Sequence, residues 1–412
     1  MPLTETETVH RWNALLELVR ERVPFYRERL PAGRLDSLEE VGELPFTTKD
    51  DFRDNYPFGL FAMPLEEVVR VHMSSGTTGR PVVTGYTRRD LDLWAECMER
   101  VLRAGDVSAT DVVQNAYGYG LFTGGFGFHM GAERIGSTVV PTSSGVTQRQ
   151  VMLLRDLGTT VLTCTPSYAL VLSEAIESQA ARGEIRLRAG FFGAEPWTDG
   201  MRQEIERGLG LEAFDIYGLT ELGGPGVAVE CHRHDGLHLF EDHYYAEVID
   251  PETGVALPSG HPGELVLTSL RREASPVIRY RTRDRTVLLD EPCPCGSPFR
   301  RMRKISGRTD DMLVVRGENV FPSQIEELLL QVDGLTGNYQ LVVDRQARHL
   351  DSVQVRVEAR EGPEEVGLRQ RAEERIRETM GLSVAVTVLA PGALPRSEGK
   401  ARRVIDLREL SR

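Results

Sequence analysis

Short apolar segments alternate with amphipathic segments along the first half of the chain. Runs rich in β-branched and aromatic residues predict strands at residues 68–72, 111–116, 137–141, 160–165 and 188–193. Apolar residues at helical spacing predict helices at residues 9–30 (interrupted at Pro24), 88–104, 148–157, 166–182 and 199–209. Because strands alternate with helices, the pattern predicts an α/β fold with a mostly parallel sheet flanked by helices.

The hydrophobic pattern changes to a period of two at about residue 240. Residues 243–250 and 263–268 predict antiparallel strands, joined by a turn at 251–254. Beyond Gly307 the pattern is that of a small α+β unit, with a long charged helix at residues 363–380. The sequence therefore favours a domain boundary near Gly307.

Composition narrows the class of protein. The 412 residues exceed what one hydrophobic core usually serves, and 40% hydrophobic with 27% charged residues is typical of a soluble globular protein. A net charge of −13 argues against general nucleic-acid affinity. The polar N-terminus lacks a secretory signal and no apolar run reaches a membrane-spanning length. We therefore expect a cytoplasmic protein with no nucleic-acid or membrane partner.

Residues 74–81 are the first candidate for chemistry, since six of the eight are serine, threonine or glycine. Such a loop brings backbone N–H groups and hydroxyls close to a polyanion, because glycine removes the Cβ. It is not the Walker phosphate loop, since no lysine follows the last glycine. A flexible surface turn has the same composition, so both interpretations stay open for the loop alone.

Further candidates also follow predicted strands, where ligands gather in parallel sheets. Residues 117–128 mix aromatic residues with glycine, which suits a flat apolar pocket or tight helix-to-sheet packing. Thr220 beside Glu221 suits a magnesium nucleotide, although a helix N-terminus with a stabilising acid explains the pair equally well. Asp284 ends a predicted strand, where it either accepts hydrogen bonds from ribose hydroxyls or caps the end of the strand.

Six segments together resemble, in order and spacing, the adenylate-forming superfamily of acyl- and aryl-CoA ligases, adenylation domains and luciferase-like enzymes. These segments are residues 74–79, 193–196, 217–221, 280–284, 307–311 and 395–400. Within the superfamily the chain looks most like bacterial phenylacetate-CoA ligases, through residues 44–50, 115–125, 241–244 and 320–326. The resemblance covers about residues 9–408.

The resemblance implies a fold and a reaction. Residues 1–307 would form a large N-terminal domain that includes a small β-barrel-like subdomain at about 225–305, and residues 308–412 a small mobile C-terminal domain. A carboxylic acid would attack the α-phosphate of Mg·ATP to give an acyl-adenylate. A thiol, either coenzyme A or the phosphopantetheine of a carrier protein, would then displace AMP. The enzyme contributes positioning and charge stabilisation at phosphorus.

The resemblance also implies residue roles. The β/γ-phosphates would be held by Ser74, Ser75, Gly76, Thr77, Thr78 and Gly79. The adenine shelf and the nucleotide site around it would comprise Gly193, Ala194, Glu195, Pro196, Tyr217 and Gly218. Thr220 would contact the α-phosphate, Glu221 would bind Mg²⁺ and Asp284 would take the ribose hydroxyls.

Three further roles fall near and beyond the domain boundary. Lys400 would bridge the carboxylate and α-phosphate oxygens during adenylation, a role that suits a compact cation on a flexible stem. Arg308 would lie near the phosphate or ribose, and Asp310 would be the hinge of the C-terminal domain.

An aryl pocket follows from the same resemblance, lined by Tyr117, Tyr119, Gly120, Phe122, Phe126 and Ile216, with Ala194 and Pro196 beside them. Phenylacetate and aminated or hydroxylated benzoates of natural-product pathways fit it equally well, and a homodimer is left open. Two positions stand out. Arg80 replaces the lysine usual in relatives, and Arg283 replaces a glycine, which the phenylacetate-ligase branch shares.

The five cysteines are too few and odd in number for a disulfide framework. Cys231, His238, Cys293 and Cys295 are an ordinary ligand set for tetrahedral zinc, although unliganded surface cysteines are the competing interpretation. Relatives with a similar Cys-Pro-Cys-Gly segment look metal-bound, so a structural zinc site is predicted. Cys97 and Cys164 lie in apolar patterns and are predicted to be core residues.

The leading hypothesis is an aryl-CoA ligase that uses ATP and Mg²⁺. One alternative is a stand-alone adenylation enzyme that loads an aryl acid onto a carrier protein or an amine. A second is an adenylating enzyme that acts on another oxyanion, such as nitrite. A third, a degenerate nucleotide-binding regulator, is disfavoured because Thr220, Glu221, Asp284 and Lys400 are all present.

Overall fold

The alternation of apolar strands and amphipathic helices builds two units of structure. A computed structural model describes residues 1–74, 80–179, 181–309, 313–315, 318–345, 351–360, 365–380, 382–396 and 403–407. The first unit comprises Met1–Cys164, Glu184–Ala194 and Glu212–Ile305. The second comprises Thr165–Gly183, Glu195–Leu211 and Ser306–Arg412. The step from Ile305 to Ser306 lies next to the boundary favoured by the sequence, but two earlier segments group with the second unit. The proposed domain limits stay a prediction.

The first unit contains six of the described helices and fourteen of the described strands. The helices are α1 (Glu5–Arg22), α2 (Pro24–Arg29), α3 (Lys49–Asp54), α4 (Arg88–Arg103), α5 (Thr123–Ile135) and α6 (Thr147–Asp156). The strands are β1 (Arg70–Met73), β2 (Val83–Tyr86), β3 (Val112–Asn115), β4 (Thr138–Val140), β5 (Val161–Cys164), β6 (Ala189–Gly193), β7 (Glu212–Leu219), β8 (Gly224–Glu230), β9 (Leu237–Leu239), β10 (Tyr244–Ile249), β11 (Gly263–Ser269), β12 (Tyr280–Thr286), β13 (Leu288–Leu289) and β14 (Arg301–Met302).

Nine of these strands form one mixed sheet, in the order β13-β14-β9-β8-β7-β6-β5-β3-β4. Strands β7, β6, β5, β3 and β4 are parallel to one another. On the other side of β7, the pairings through β8, β9, β14 and β13 are antiparallel. The parallel half is thus the predicted α/β core. The sequence pattern had not indicated that β8 and β9 extend this sheet, since their residues fell in the proposed β subdomain.

Local chemistry explains where several helices begin. Thr87 accepts a hydrogen bond from the backbone of Asp90, whose carboxylate accepts one from the backbone of Thr87 in return. This capping box starts α4 at the predicted residue, and Thr48 with Asp51 starts α3 in the same way. The helix predicted at residues 199–209 is α8, with the same bounds.

The sequence pattern missed helix α5. Its first turns contain three glycines, which have low helix propensity. Packing overrides propensity here, because a Cβ at Gly127 would lie 2.9 Å from the Trp94 ring and one at Gly131 would lie 2.6 Å from the Cβ of Met98. Glycine therefore allows α5 to lie close against α4. Of the two interpretations of residues 117–128, tight packing holds for the part beyond Thr123.

The second unit contains the remaining described elements and has its own core. Its helices are α7 (Pro166–Ser178), α8 (Asp199–Leu209), α9 (Pro322–Leu330) and α10 (Glu365–Met380). Its strands are β15 (Gly307–Arg308), β16 (Leu313–Val315), β17 (Glu318–Val320), β18 (Leu335–Arg345), β19 (Asp351–Ala359), β20 (Ala385–Leu389) and β21 (Val404–Asp406). Strands β20, β19, β18 and β21 form a sheet in that order, and Leu341, Val355 and Ile376 are fully buried in its core.

Candidate active site

The carboxyl ends of the parallel strands gather the segments that the sequence singled out. Residues 117–122 follow β3, Ala194 follows β6, and Thr220 and Glu221 follow β7. Since β3, β5, β6 and β7 run in the same direction, their carboxyl ends meet at one edge of the sheet. The candidate site in the first unit is this edge.

Gly193 and Ala194 form a tight corner at the end of β6. A Cβ at Gly193 would lie 2.5 Å from the backbone oxygen of Ile216, so only glycine fits beside β7. Ala194 has a φ of +72° and its side chain is exposed. The hydroxyl of Tyr117 donates a 3.4 Å hydrogen bond to the carbonyl of Gly193. The predicted adenine shelf and the predicted aryl wall therefore touch.

Tyr217 and Asp284 are joined by a short hydrogen bond. The Tyr217 hydroxyl donates to the Asp284 carboxylate at 2.6 Å, and the two residues are 9% and 8% exposed. The backbone N–H of Asp284 donates to the Thr282 hydroxyl at 3.0 Å. The fold thus brings together two residues that are distant in the sequence and are both predicted to contact the nucleotide. Their hydrogen bond fixes the orientation of the Asp284 carboxylate.

Thr220 and Glu221 lie in a single 3-10 turn that follows β7. Among the described residues, the Glu221 carboxylate has no hydrogen-bond or ion-pair partner, although the residue is only 6% exposed. Burying a carboxylate without a partner costs free energy, so a bound cation would stabilise Glu221 in this position. Gly218 precedes the turn, where a Cβ would lie 2.3 Å from the Gly224 backbone oxygen.

The phosphate-loop candidate is described only at its flanks. The backbone N–H of Ser74 donates to the Val82 carbonyl at 2.9 Å, and the Val82 N–H donates to the Ser74 hydroxyl at 2.9 Å. These two bonds close the base of the loop. The Arg80 guanidinium is 5.8 Å from the centre of the Tyr56 ring. The predicted residues Ser75, Gly76, Thr77, Thr78 and Gly79 lie outside the described part of the chain.

The aromatic segment after β3 divides into buried and exposed residues. The Tyr117 ring stacks on Phe128 at 5.3 Å with an interplanar angle of 4°. Tyr119 is half-buried, and its ring meets that of Phe126 edge-on at 5.3 Å. Gly120 is exposed with a φ of +107°, and Phe122 is 50% exposed. The two tyrosines and Phe126 thus form a packed wall, while Gly120 and Phe122 lie at its open rim.

A polar network behind this wall escaped the sequence prediction. The Asn115 amide donates to the Tyr119 hydroxyl at 2.8 Å and to the Gly125 carbonyl at 2.6 Å. The Tyr119 hydroxyl also lies 3.1 Å from His129 Nδ1, and burial raises the pKa of Tyr119 to about 12. In the sequence, Asn115 is a polar residue at the end of an apolar strand and the first residue of the 115–125 segment of family resemblance, but neither signal gave it a role.

The other predicted nucleotide residues belong to the second unit. The Glu195 carboxylate accepts a 2.8 Å hydrogen bond from the backbone N–H of Ser167, and Pro196 is exposed. Arg308 is half-buried in β15. The predicted hinge Asp310 and the predicted catalytic Lys400 lie outside the described residues.

The four predicted zinc ligands come together. The thiol and imidazole atoms of Cys231, His238, Cys293 and Cys295 all lie within 4.8 Å of one another. The sulfurs of Cys231 and Cys293 are 3.8 Å apart, and the Cys295 sulfur is 3.4 Å from His238 Nε2. Around a tetrahedral zinc ion two sulfurs are about 3.8 Å apart and a sulfur and a nitrogen about 3.5 Å. The residues therefore fit zinc.

The surroundings of the cluster also suit a metal. His238 Nδ1 is 3.0 Å from the Phe299 carbonyl, so it donates there and leaves Nε2 free to ligate. A second group of potential ligands, Glu96, Asp242 and His243, differs in this respect. Arg100 donates hydrogen bonds to the carboxylates of Glu96 and Asp242. Arg271 lies 3.1 Å from His243 Nε2. Guanidinium groups therefore already occupy the carboxylates of Glu96 and Asp242 and the His243 nitrogen that a metal ion would need.

Comparison with known proteins agrees with this geometry. Residues 32–270 match the family model of AMP-binding enzymes, and residues 317–408 match the model of the AMP-binding enzyme C-terminal domain. Phenylacetate-coenzyme A ligase of Escherichia coli (strain K12) is 50% identical over 95% of this chain and 92% of its own. The ligase of the same name from Thermus thermophilus is 47% identical, over 97% of this chain and 95% of its own.

Solved structures show the same fold. A 2-hydroxyisobutyryl-CoA ligase in the postadenylation state, in complex with 2-HIB-AMP, is 30% identical with a TM-score of 0.92, covering 98% of this chain and 90% of that one. The anthranilate CoA ligase AuaEII in complex with anthranoyl-AMP has a TM-score of 0.63 at 18% identity, covering 82% and 66%. The second likeness concerns the fold alone.

The chain therefore belongs to the AMP-binding enzymes of the adenylate-forming superfamily. Within that superfamily it lies in the phenylacetate-CoA ligase-like branch, and it is an AMP-forming acid–CoA ligase. It activates a carboxylic acid with ATP and ligates it to coenzyme A. Among the described residues, no helix combines the length and apolar character needed to cross a membrane.

Proposed function

We propose that the acid is aromatic, with phenylacetate as the first candidate. The packed wall of Tyr117, Tyr119 and Phe126 supports this proposal, because its ring faces and edges suit a flat apolar group. The observation that carries it is the hydrogen bond from Tyr117 to Gly193, which puts that wall beside the predicted adenine shelf. The curated relatives cited above carry the name phenylacetate-coenzyme A ligase, which agrees with an aryl acid.

In the proposed adenylation step, the carboxylate oxygen forms a bond to the α-phosphorus of ATP and pyrophosphate leaves. Asp284, held by Tyr217, takes the ribose hydroxyls, and Thr220 donates to the α-phosphate. Glu221 would hold Mg²⁺, which would supply positive charge to the phosphates. The loop of residues 74–79 holds the β- and γ-phosphates through backbone N–H groups and hydroxyls. Lys400 bridges the acid and the α-phosphate.

In the proposed second step, the sulfur of coenzyme A bonds to the acyl carbon and AMP leaves with the former carboxylate oxygen. Coenzyme A is preferred over a carrier protein, since relatives at 47–50% identity are named as coenzyme A ligases. Loading of a carrier protein, transfer to an amine and activation of nitrite are the competing functions. The exchange assay below separates nitrite from carboxylic acids, and a thioester assay with coenzyme A against a carrier protein separates the acceptors.

We also propose that Cys231, His238, Cys293 and Cys295 hold one structural zinc ion. The proposal is supported by the tetrahedral spacing of their ligand atoms and by the hydrogen bond that orients His238. Elemental analysis of the purified protein should find about one zinc per chain. A content well below one, after purification without chelators, would contradict the proposal.

The experiment that tests the aryl specificity is ATP–pyrophosphate exchange over a panel of acids. We expect phenylacetate or a substituted benzoate to support exchange with the highest kcat/KM, because the tyrosine wall favours a planar ring. Matched aliphatic acids, including 2-hydroxyisobutyrate and hexanoate, are the controls. Faster exchange with an aliphatic acid, or with nitrite, would rule the aryl proposal out.

A further inference from the structure

His72 is a buried histidine of β1, the strand that precedes the loop of residues 74–79. It lies two residues before Ser74, and it is 1% exposed. Its Nδ1 atom is 3.1 Å from the carbonyl oxygen of Leu121, and the backbone N–H of Met73 donates to the same oxygen at 2.8 Å. Because a carbonyl oxygen only accepts, Nδ1 carries the proton and donates. One carbonyl of the segment after β3 thus receives two hydrogen bonds from β1.

The His72 ring is enclosed by aromatic side chains. It meets the rings of Tyr86, Trp94 and Phe126 edge-on, at centroid distances of 5.3, 5.8 and 5.5 Å. Within the described residues Nε2 has no hydrogen-bond partner, and burial lowers the pKa of His72. A phenylalanine ring would fill the same space and would leave no nitrogen unpaired. What histidine adds at this position is therefore the hydrogen bond from Nδ1 to the Leu121 carbonyl.

The segment that receives this bond has little support from its own side chains. Leu121 and Phe122 are 57% and 50% exposed, and Gly120 between them and Tyr119 has a φ of +107°. Side-chain packing therefore contributes little at these positions. The carbonyl of Leu121 is held instead by the two donors of β1.

We propose that His72 is a positioning residue for adenylation. By holding the Leu121 carbonyl, His72 fixes the rim of the proposed aryl pocket against β1, the strand that leads into the proposed phosphate loop at residues 74–79. The attacking oxygen and the α-phosphorus must be aligned closely, and a displacement of about 1 Å costs on the order of a hundredfold in rate. The inference rests on the proposed function, since it assigns the 117–122 segment to the acid.

The test compares three substitutions in the full-length protein. In His72→Asn, Nδ2 occupies the place of the histidine Nδ1 and can donate to Leu121. In His72→Gln the amide reaches toward the place of Nε2 instead, and His72→Phe fills the same space without a donor. Steady-state kinetics with the best acid of the panel, thermal unfolding, and hydrogen exchange of peptides covering residues 115–125 are measured for each.

We expect His72→Asn to stay within about threefold of the unsubstituted enzyme. His72→Gln and His72→Phe should lower kcat/KM for the acid about tenfold, as expected for loss of one buried hydrogen bond, while KM for ATP changes less. They should also exchange faster at residues 119–122. Equal kinetics and equal exchange in the Asn and Gln variants would overturn the inference. So would losses that follow the unfolding temperature alone.

The two proposals fail in different ways. Activity restricted to aliphatic acids would remove the aryl assignment, while the exchange of residues 119–122 would still report whether His72 holds the segment. Unchanged exchange in both His72→Gln and His72→Phe would refute the positioning role, whichever acid the enzyme uses.

Discussion

At the scale of single residues, the proposed nucleotide site depends on how Asp284 is held. Its carboxylate is 8% exposed and accepts a 2.6 Å hydrogen bond from Tyr217, which aims it before any ribose arrives. Such preorganisation lowers the entropic cost of binding. The Glu221 carboxylate is different, since it has no partner among the described residues and would acquire one with Mg²⁺.

We predict that Tyr217→Phe raises KM for ATP about tenfold, because a hydrogen bond to a charged group contributes about 1.5–3 kcal/mol. The aromatic ring remains, so KM for the acid should change little. The control is Tyr245→Phe, which alters a half-buried tyrosine whose hydroxyl has no hydrogen-bond partner in the described chain. Unchanged KM for ATP in Tyr217→Phe would contradict the role given to this pair.

The sequence predicts the candidate residues of this site, and the structure adds the residues that support them. Tyr217, Asp284 and Glu221 lie in short motifs with a defined order, so each could be named from the sequence. The hydrogen bond from His72 to Leu121 spans 49 residues, and that from Asn115 to Gly125 spans 10. No local pattern encodes such contacts, and only the structure reveals them.

At the scale of elements, packing decides what local propensity leaves open. The bounds of α4 and α8 follow from their caps and apolar spacing, and the sequence predicted them within one residue. Helix α5 was missed because its glycines argue against a helix until the closeness of α4 is known. Strands β8 and β9 were assigned to the β subdomain because pairing partners cannot be read from alternation alone.

The amino ends of β3, β5 and β6 are joined by Asp111. Its carboxylate accepts hydrogen bonds from Arg188 at 2.7 and 3.0 Å, from Thr160 and from the backbone of Ser108. Burial alone would raise the pKa of Asp111, but these bonds lower it to about 2. The folded state therefore binds the proton less tightly than the unfolded state. The stabilisation is present above about pH 4 and is lost as the pH falls through about 2.

We predict that Asp111→Asn lowers the free energy of unfolding by about 2 kcal/mol at pH 7, because charge-assisted hydrogen bonds are lost. The difference from the unsubstituted protein should shrink between pH 4 and pH 2. Urea titrations at several pH values measure it, with the exposed Asp156→Asn as control. A difference that stays constant down to pH 2 would show that the Asp111 charge is not the cause.

The Cys231–Cys295 region offers a second test at this scale. We predict that Cys293→Ser lowers both zinc content and thermal stability, because a metal that binds only the folded state stabilises it. Cys97→Ala, a substitution of a buried cysteine outside the cluster, should keep full zinc content. Normal zinc content in Cys293→Ser would exclude this cysteine as a ligand.

At the scale of the whole molecule, the chain performs two half-reactions that have different requirements. Adenylation needs a cation at the α-phosphate, and thioester formation needs the acyl-adenylate and a thiol. Lys400 is the residue that the family resemblance assigns to the first step alone. Its position lies outside the described residues, so the assignment depends on the motif at residues 395–400.

We predict that Lys400→Ala reduces adenylation by at least a hundredfold, since it removes charge stabilisation in the transition state. Thioester formation from synthetic acyl-adenylate should remain within a few-fold of the unsubstituted enzyme. Pre-steady-state assays of each half-reaction measure the two effects separately, with Arg369→Ala, a substitution of an exposed arginine of α10, as the control. Equal loss of both half-reactions would contradict the assignment.

In the proposed reaction, the enzyme joins an aromatic acid to coenzyme A through an adenylate. The most direct measurement incubates the purified protein with Mg·ATP, phenylacetate and coenzyme A, and follows AMP and acyl-CoA together by mass spectrometry. We expect one AMP for each phenylacetyl-CoA, with no thioester when ATP is omitted. Adenylate or AMP formed from an aryl acid without any aryl-CoA, or acyl-CoA from aliphatic acids alone, would contradict it.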